Sequence, residues 1–527
     1  MRASDGLQEI YRRCVPLLVF ATLNLKDTRT EAMEKEKKDS HTEEHIDHGE
    51  ERVSPHSIYT ITEKYLLVVL SGCIAIWSSC ATPIYYPALQ ILKQEFNISE
   101  EQVNISVVVY QLFQGFSPTV FGGLADVYGR RPILIMCMVI FIVASIVIAK
   151  TDSYAILLVF RIIQASGISP SVAISAGIVG DITVSQERGG FIGIQSGLTL
   201  LGQAFGSLIG AALISGFSWR AIFWFLTIGS GAVLLLMSLL LPETKRALVG
   251  NGSVIPRSLM NRAPILHIPK IRNKWHLMNP DTETLEPPKK PDYLTPFKIM
   301  IFPEISIILL NGAIHYALWT MLLTTLTHQL TVDYGYDTMK VGLCYLPAGF
   351  AGLIGAVTSG RVLDWVYRKR HSKYRAKLEA GTIEKEIPFN IVKSRVLVIF
   401  PYAFFTDGFA IMFGWCLYKK IHIASILVSE FFVCTGCIAM IGINTTLLVD
   451  LFPSHSSAAT SSVNFTRCIL GAVFVAALTS MNSSLTVGGT FTLMSVLGVI
   501  STLSLMIPMK YGMKWSVERA SKNKIIE

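Results

Sequence analysis

Runs of about twenty apolar, almost uncharged residues, the length a helix needs to cross a hydrocarbon core, recur along this chain. They fall near 65–88, 103–125, 132–149, 154–179, 191–216 and 220–241, then near 301–329, 341–363, 396–418, 423–449, 460–481 and 487–508. A polar segment with several prolines, 242–300, separates the two sets. The pattern predicts an all-α polytopic membrane protein of twelve spans in a six-plus-six layout. Its divisions are a tail over 1–64, a six-helix bundle over 65–241, a central loop over 242–300, a second six-helix bundle over 301–509 and a tail over 510–527.

Composition agrees with that reading. Of 527 residues, 51% are hydrophobic and only 16% charged, and the mean hydropathy is +0.48, too apolar for a soluble chain of this size. The charges concentrate in 26–52, 245–298, 361–395 and 510–524, between the apolar runs. A net charge of +9 therefore points to topology rather than to nucleic acid, because the basic residues flank hydrophobic ends. The apolar patch at 14–25 is about half a span long and lacks a small-residue cleavage site, so it is not read as a signal peptide. Residues 26–53 are too polar to form a core and read as a disordered cytosolic tail, with Met33 an alternative start. Eight of nine cysteines (Cys73, Cys80, Cys137, Cys344, Cys416, Cys434, Cys437 and Cys468, but not Cys14) lie in apolar runs without metal-ligand spacing. They read as small buried side chains.

Arg130, Arg131, Arg188, the 242–300 and 364–395 loops and the C-terminal tail fall on one side, which the positive-inside rule makes the cytosol, with both termini there. The opposite loops hold sequons at Asn97 and Asn482, candidates for glycosylation. Asn104 lies too near the bilayer, and Asn251, Asn444 and Asn464 read as chance matches.

The two halves repeat a local pattern. GGLADVYGRR follows span two and GRVLDWVYRK follows span eight, each with Gly four residues before Asp (Asp126, Asp364) and Arg four after (Arg130, Arg368). Spans four and ten both end in Asp, at Asp181 and Asp450.

GGLADVYGRRP resembles the loop signature of the major facilitator superfamily between spans two and three, and it sits at that place in the chain. RIIQASG (161–167) resembles the superfamily's span-four motif. LGQAFGSLIGA with SWRAIFW resembles the span-five motif of exporters, with Ser207 and Ala211 replacing the usual Pro and Gly. TPIYYPAL, LPETKRALVGNGS and LLVDLFPSHSSAATSSVNFTRCILGA narrow the resemblance to fungal twelve-span drug:proton antiporters, in particular the quinidine-resistance branch, which includes exporters of weak acids and of dityrosine. The resemblance covers residues 60 to 510 and does not identify the cargo.

Asp126 and Arg130 stand one turn apart at a helix end, where such a pair can hold a gate. The resemblance makes Asp181 their partner and Asp364, Arg368 and Asp450 the counterpart in the second half. Arg161, two turns into span four, would cost about 2.5 kcal/mol or more if unpaired in lipid. It is expected to face a polar cavity with Gln164 and a carboxylate from another span as partners, and the resemblance gives it a role in proton coupling. Asp407 and Glu430 are the carboxylates placed well inside the second bundle and are candidates to carry the proton. The superfamily's cavity is lined by spans one, four, seven and ten, which favours Glu430.

Candidates for the cavity wall are Trp77 in span one, His315, Tyr316 and Trp319 in span seven, and Asn464 and Arg467 in span eleven. Arg467 is the leading contact for a weak-acid cargo. Tyr85 and Tyr86 suit either stacking on cargo or an interfacial aromatic belt. Gly202, Gly206 and Gly210 recur every four residues in span five and suit packing within the chain.

No phosphate-binding loop, nucleophile or metal cluster appears, so the expected energy source is a proton gradient, with no cofactor and no enzymatic activity. The expectation is a monomeric exporter of drugs, of weak monocarboxylic acids such as acetate or of related metabolites, in the plasma membrane, exchanging small organic molecules for protons. An exporter of dityrosine or amino-acid derivatives, a proton-coupled importer and a nutrient sensor of the same fold remain alternatives.

Overall fold

The computed structural model describes residues 57–267, 293–380, 389–452 and 456–515. Expectations for the N-terminal tail up to residue 56, with Cys14 and Met33, and for the chain beyond 515 lie outside the described residues. Ten helical segments, from Ile61–Glu95 to Ala458–Trp515, are long and apolar enough to cross a bilayer. The more polar helix Glu100–Tyr128 is span two, and the last segment, 58 residues long, breaks at Thr486 (φ 64) into spans eleven and twelve. That makes twelve spans among the described residues.

Span one is Ile61–Cys80, continued by a 3-10 turn over Pro83–Ala88 and a short helix Leu89–Glu95. Pro83 and Pro87 lack the N–H that an α-helix needs, so the sequence TPIYYPA breaks the span where it passes the cavity. Spans three to six are Arg130–Lys150, Tyr154–Ile168 with Pro170–Ile182, Ser185–Gly216 and Arg220–Leu240. Spans seven to ten are Pro303–Val332, Thr338–Cys344 with Leu346–Glu379, Ile391–Tyr418 and Ile423–Leu451.

Large apolar side chains such as Ile228, Leu235, Val357 and Ile500 stand exposed on the outer faces, while Arg161, Gln164, Asn311, His315, Asp407 and Glu430 are buried. Such a surface is stable only against lipid.

Packing repeats between the halves. Spans one and five, two and four, three and four, and three and six pack together, as do eight and ten and nine and ten, while Gly471 of span eleven lies against Tyr316 of span seven and Phe491 of span twelve against Gly414 of span nine. Across the halves, span two meets span eleven and span five meets span eight, the same contact seen twice. The span-five glycines serve this closeness: a Cβ at Gly202, Gly206 or Gly210 would run into the backbone or Pro83 ring of span one. Their expected use in packing within the chain agrees with these contacts.

Three connections differ from expectation. Span eight runs on as helix to Glu379, so much of the expected 364–395 loop is helical. Its residues RKRHSKYRAKLE combine good helix formers with no glycine or proline, and no apolar run is needed to extend a helix already begun. The chain between spans eleven and twelve narrows to the break at Thr486, and helix continues beyond span twelve to Trp515. In the central segment, residues 242–267 lie against the ends of spans two and three.

Candidate functional site

A cavity of about 270 Å³ lies between the halves, walled by Ser78, Thr82, Tyr86, Gln114, Gln203, Tyr316, Trp319, Tyr345 and Arg467 among others. A second compartment of about 210 Å³ shares Ser78, Gln114, Val172, Ile441 and Arg467 with it and runs past Ala176 and Thr445 toward the span ends that carry Asp181 and Asp450. The walls are aromatic, hydroxylic and amide. Arg467 is the one charged side chain among the described residues that line either compartment. Its Nε and Nη2 donate to Asn464 Oδ1 at 3.1 and 2.8 Å, and its guanidinium lies 4.9 Å from the centre of the Tyr316 ring. Asn464 Nδ2 in turn donates to the Gln114 carbonyl of span two at 2.9 Å, so the cation is held at the joint between halves.

Arg161 is almost wholly buried, at 1% exposure, and lines neither compartment. Its Nη1 donates to Gln164 Oε1 at 2.9 Å, and Gln164 Nε2 donates to Ser145 at 2.9 Å. The expected carboxylate from another span is replaced by two phenol rings: the guanidinium lies 4.0 Å from the Tyr85 ring centre and 4.1 Å from that of Tyr110. Stacking over π faces stabilises a desolvated cation without a counter-ion. Tyr85, whose hydroxyl pairs with Ser106 at 2.8 Å, is therefore no interfacial belt residue. Tyr86 is also buried and stacks on Tyr345 across the halves, with ring centres 5.9 Å apart.

Two further expectations for the wall change. Trp77 turns away from the cavity to pack on Phe225 and against Gly229 of span six, where glycine leaves the space. His315 does not line the cavity although Tyr316 and Trp319 do; its Nε2 lies 3.5 Å from Asp407 Oδ1 inside the second half. Glu430 is fully buried, lines neither compartment, and neither carboxyl oxygen has a hydrogen-bond partner among the described residues.

At the Asp181 end, Arg130 pairs with Asp126 at 2.9 Å and with Asp181 at 3.2 Å, which assembles the three residues singled out in the first half. Lys245 joins them, 2.6 Å from Asp126. Glu243 accepts from the backbone N–H of Arg130 and Arg131 at 2.9 and 3.2 Å, which caps the start of span three with a carboxylate. Both come from LPETK, a string whose role the sequence did not disclose. In the second half the corresponding cluster is different: Asp364 and Arg368 are exposed and make no ion pair among the described residues. Asp450 instead meets Arg395, at the start of span nine, at 2.9 Å. Arg395 takes the place that Arg130 has at the start of span three, so the repeat holds in space where the motif spacing misdirects.

At the opposite end the halves are tied across. Asn104 Nδ2 donates to Thr479 Oγ1 at 3.1 Å, and His328 Nδ1 lies 3.0 Å from Gln90 Nε2 and 3.3 Å from Glu100 Oε1. The candidate sequon residue Asn97 is exposed there, but Asn482 turns its side chain toward the small pocket beside Glu100 and His328.

Residues 70–476 match the family model of the Major Facilitator Superfamily. The chain belongs to that superfamily. It is 44% identical over 513 residues to the multidrug transporter AQR1 of Candida glabrata, covering 96% of this chain and 86% of that protein. To the MFS antiporter QDR1 of Candida albicans it is 42% identical over 465 residues, 88% of this chain and 91% of the relative. Among solved structures of the superfamily's fold, a D-xylose-proton symporter aligns with a TM-score of 0.58 over 84% of this chain and 96% of that one, at 14% identity. In superfamily terms the molecule is a multi-pass, all-α membrane transporter, and the fungal drug-transporter resemblance of its motifs extends over nearly the whole chain.

Proposed function

We propose that this chain is a proton-driven exporter of small organic molecules that works by alternating access, with residues 65–241 and 301–509 as its two moving halves. The names of its relatives, a multidrug transporter and an antiporter, support export of foreign compounds by exchange. A single observation narrows the cargo: the cavity between the halves presents one cation, Arg467, and no carboxylate among the described lining residues. Such a wall prefers a carboxylate-bearing or neutral aromatic guest, with Tyr316 and Trp319 to stack on it. Weak monocarboxylic acids and dityrosine fit this chemistry better than a permanent dication.

The compartment that runs toward Asp181 and Asp450 supports loading from that side, which the distribution of Lys and Arg makes the cytosol, with both termini on it. The clusters Asp126–Arg130–Asp181 and Arg395–Asp450 then act as the cytosolic gate and are remade as the halves rock. Arg161 with Gln164, Asp407 and Glu430 remain the candidates for coupling to the proton. We propose a plasma-membrane monomer that needs no cofactor and performs no covalent chemistry, with Asn97 as the one exposed sequon residue of the two proposed for glycosylation.

Counterflow with purified protein in liposomes tests the reading, using labelled benzoate, dityrosine and quinidine. Exchange of benzoate or dityrosine above empty liposomes is expected, and Arg467→Gln should raise the half-saturating benzoate concentration by about tenfold, the worth of a charge-assisted contact. If none of the three probes exchanges, the exporter reading fails. If Arg467→Gln leaves benzoate unchanged, the assignment of the anion contact fails.

A further inference from the structure

The second half keeps a buried acid and a buried imidazole together, away from the cavity. His315 Nδ1 lies 2.9 Å from the Asn311 carbonyl one turn earlier, and a carbonyl can only accept, so Nδ1 carries a hydrogen. The nitrogen left with a lone pair is then Nε2, which lies 3.5 Å from Asp407 Oδ1. Apart from this contact, which is at the outer limit of a hydrogen bond, neither Nε2 nor either Asp407 oxygen has a hydrogen-bond partner among the described residues. Without a proton between them, a nitrogen lone pair faces a carboxylate in a dry interior. With one proton, either an N–H faces a carboxylate or a carboxyl O–H faces the imine nitrogen, and both arrangements are favourable.

We propose that His315 and Asp407 together bind one exchangeable proton and form the site through which the proton gradient drives transport. The inference rests on the exporter reading and adds the coupling site to it. The surroundings suit a site of this kind. From span ten, the titratable group nearby is the Cys437 thiol, whose Sγ donates to the His315 carbonyl at 3.2 Å. From span twelve, Gly498 leaves room for the carboxyl group of Asp407, and Ser501 and Thr502 occupy Asn311 Nδ2, each at 3.0 Å. Among the described residues, His315 is the one side chain within ion-pair distance of Asp407. The proton held there therefore sets the charge of the whole region.

Coupling to cargo follows from span seven. Tyr316 and Trp319, the residue after His315 and the one a turn beyond it, wall the cavity. A guest that shifts span seven moves Nε2 relative to Asp407 on span nine. The only bonds made or broken are N–H or O–H to the proton itself, taken from water on the His328 side and released on the Asp181 side.

The test uses full-length protein in liposomes with tritiated dityrosine, a zwitterion that does not follow a pH gradient across lipid unaided. Counterflow without a gradient requires no net proton movement, whereas uphill movement under an imposed pH gradient does. Asp407→Asn and His315→Gln should each retain counterflow and lose gradient-driven transport by about a hundredfold, with the double variant no worse than either single one. If wild type ignores the gradient, proton coupling itself fails. If both single variants still respond to the gradient, the pair is overturned while coupling stands. Where a variant also loses counterflow, infrared difference spectra of the detergent-purified protein across pH decide. A carboxylic-acid band displaced by His315→Gln supports the shared proton, and an acid band indifferent to that substitution overturns it.

Discussion

A methyl group at Gly129 would be strained twice over. The backbone there has φ 106 and ψ 156, a region that only glycine occupies freely, and a Cβ would press on the Glu243 carboxylate that caps span three. Gly129→Ala should therefore cost about 1–3 kcal/mol. The loss is to be read as a lower melting temperature of the detergent-purified protein; an unchanged value would show that the cap is not built as described. The same neighbourhood shows what single residues disclosed in advance. Asp126 and Arg130 were legible because opposite charges one helical turn apart can pair, and the family resemblance named Asp181 as their partner. Glu243, Lys245 and Arg395 were not, since their partners lie 113, 119 and 55 residues away and nothing in local spacing encodes such a meeting. Arg161 was legible as a buried cation but not as one stacked between Tyr85 and Tyr110, because a ring face announces no charge in a sequence.

Among elements, spans five and eight approach until side chains are excluded. A Cβ at Gly349 would strike the backbone of Ala204, and one at Gly342 would strike Ala211. This is contact between halves, so bulk there resists the arrangement described here rather than the folding of either half. Gly349→Val is expected to lower transport severalfold while the protein still purifies as a single species. Gly360→Val, on the same helix with nothing within 4 Å of its Cβ, should be neutral. Equal effects of the two would mean that the small residues merely favour folding. Apolar runs located the twelve spans within a few residues, since only helices of that length satisfy the backbone in lipid. They missed the extension of span eight to Glu379, where polarity ends the membrane signal although the helix continues, and the break of span one, which prolines set rather than hydropathy.

For the whole molecule, the repeated packing has a directional consequence. The halves meet through two equivalent seams, span two with span eleven and span five with span eight, and these flank the cavity. At one end of it the halves are tied by Asn104 with Thr479, in the seam of spans two and eleven, and by His328 of span seven with Gln90 and Glu100. At the other, no hydrogen bond or ion pair among the described residues joins the Asp126–Arg130–Asp181 cluster to Arg395–Asp450. A carrier that alternates must part the tied end in its other state, whichever guest it takes and whatever drives it. Asn104→Cys with Thr479→Cys, in a background whose nine cysteines are replaced, tests this directly. The parent side chains touch at 3.1 Å, which is within reach of a disulfide between spans that face each other. Oxidation should stop transport, and reduction should restore it. A third cysteine in place of Thr445 should stay reactive to a water-soluble thiol reagent throughout, because it lines the compartment that remains open. Transport by the oxidised protein at the reduced rate would mean that this end never opens, and the two-sided carrier would have to give way to a fixed receptor or channel.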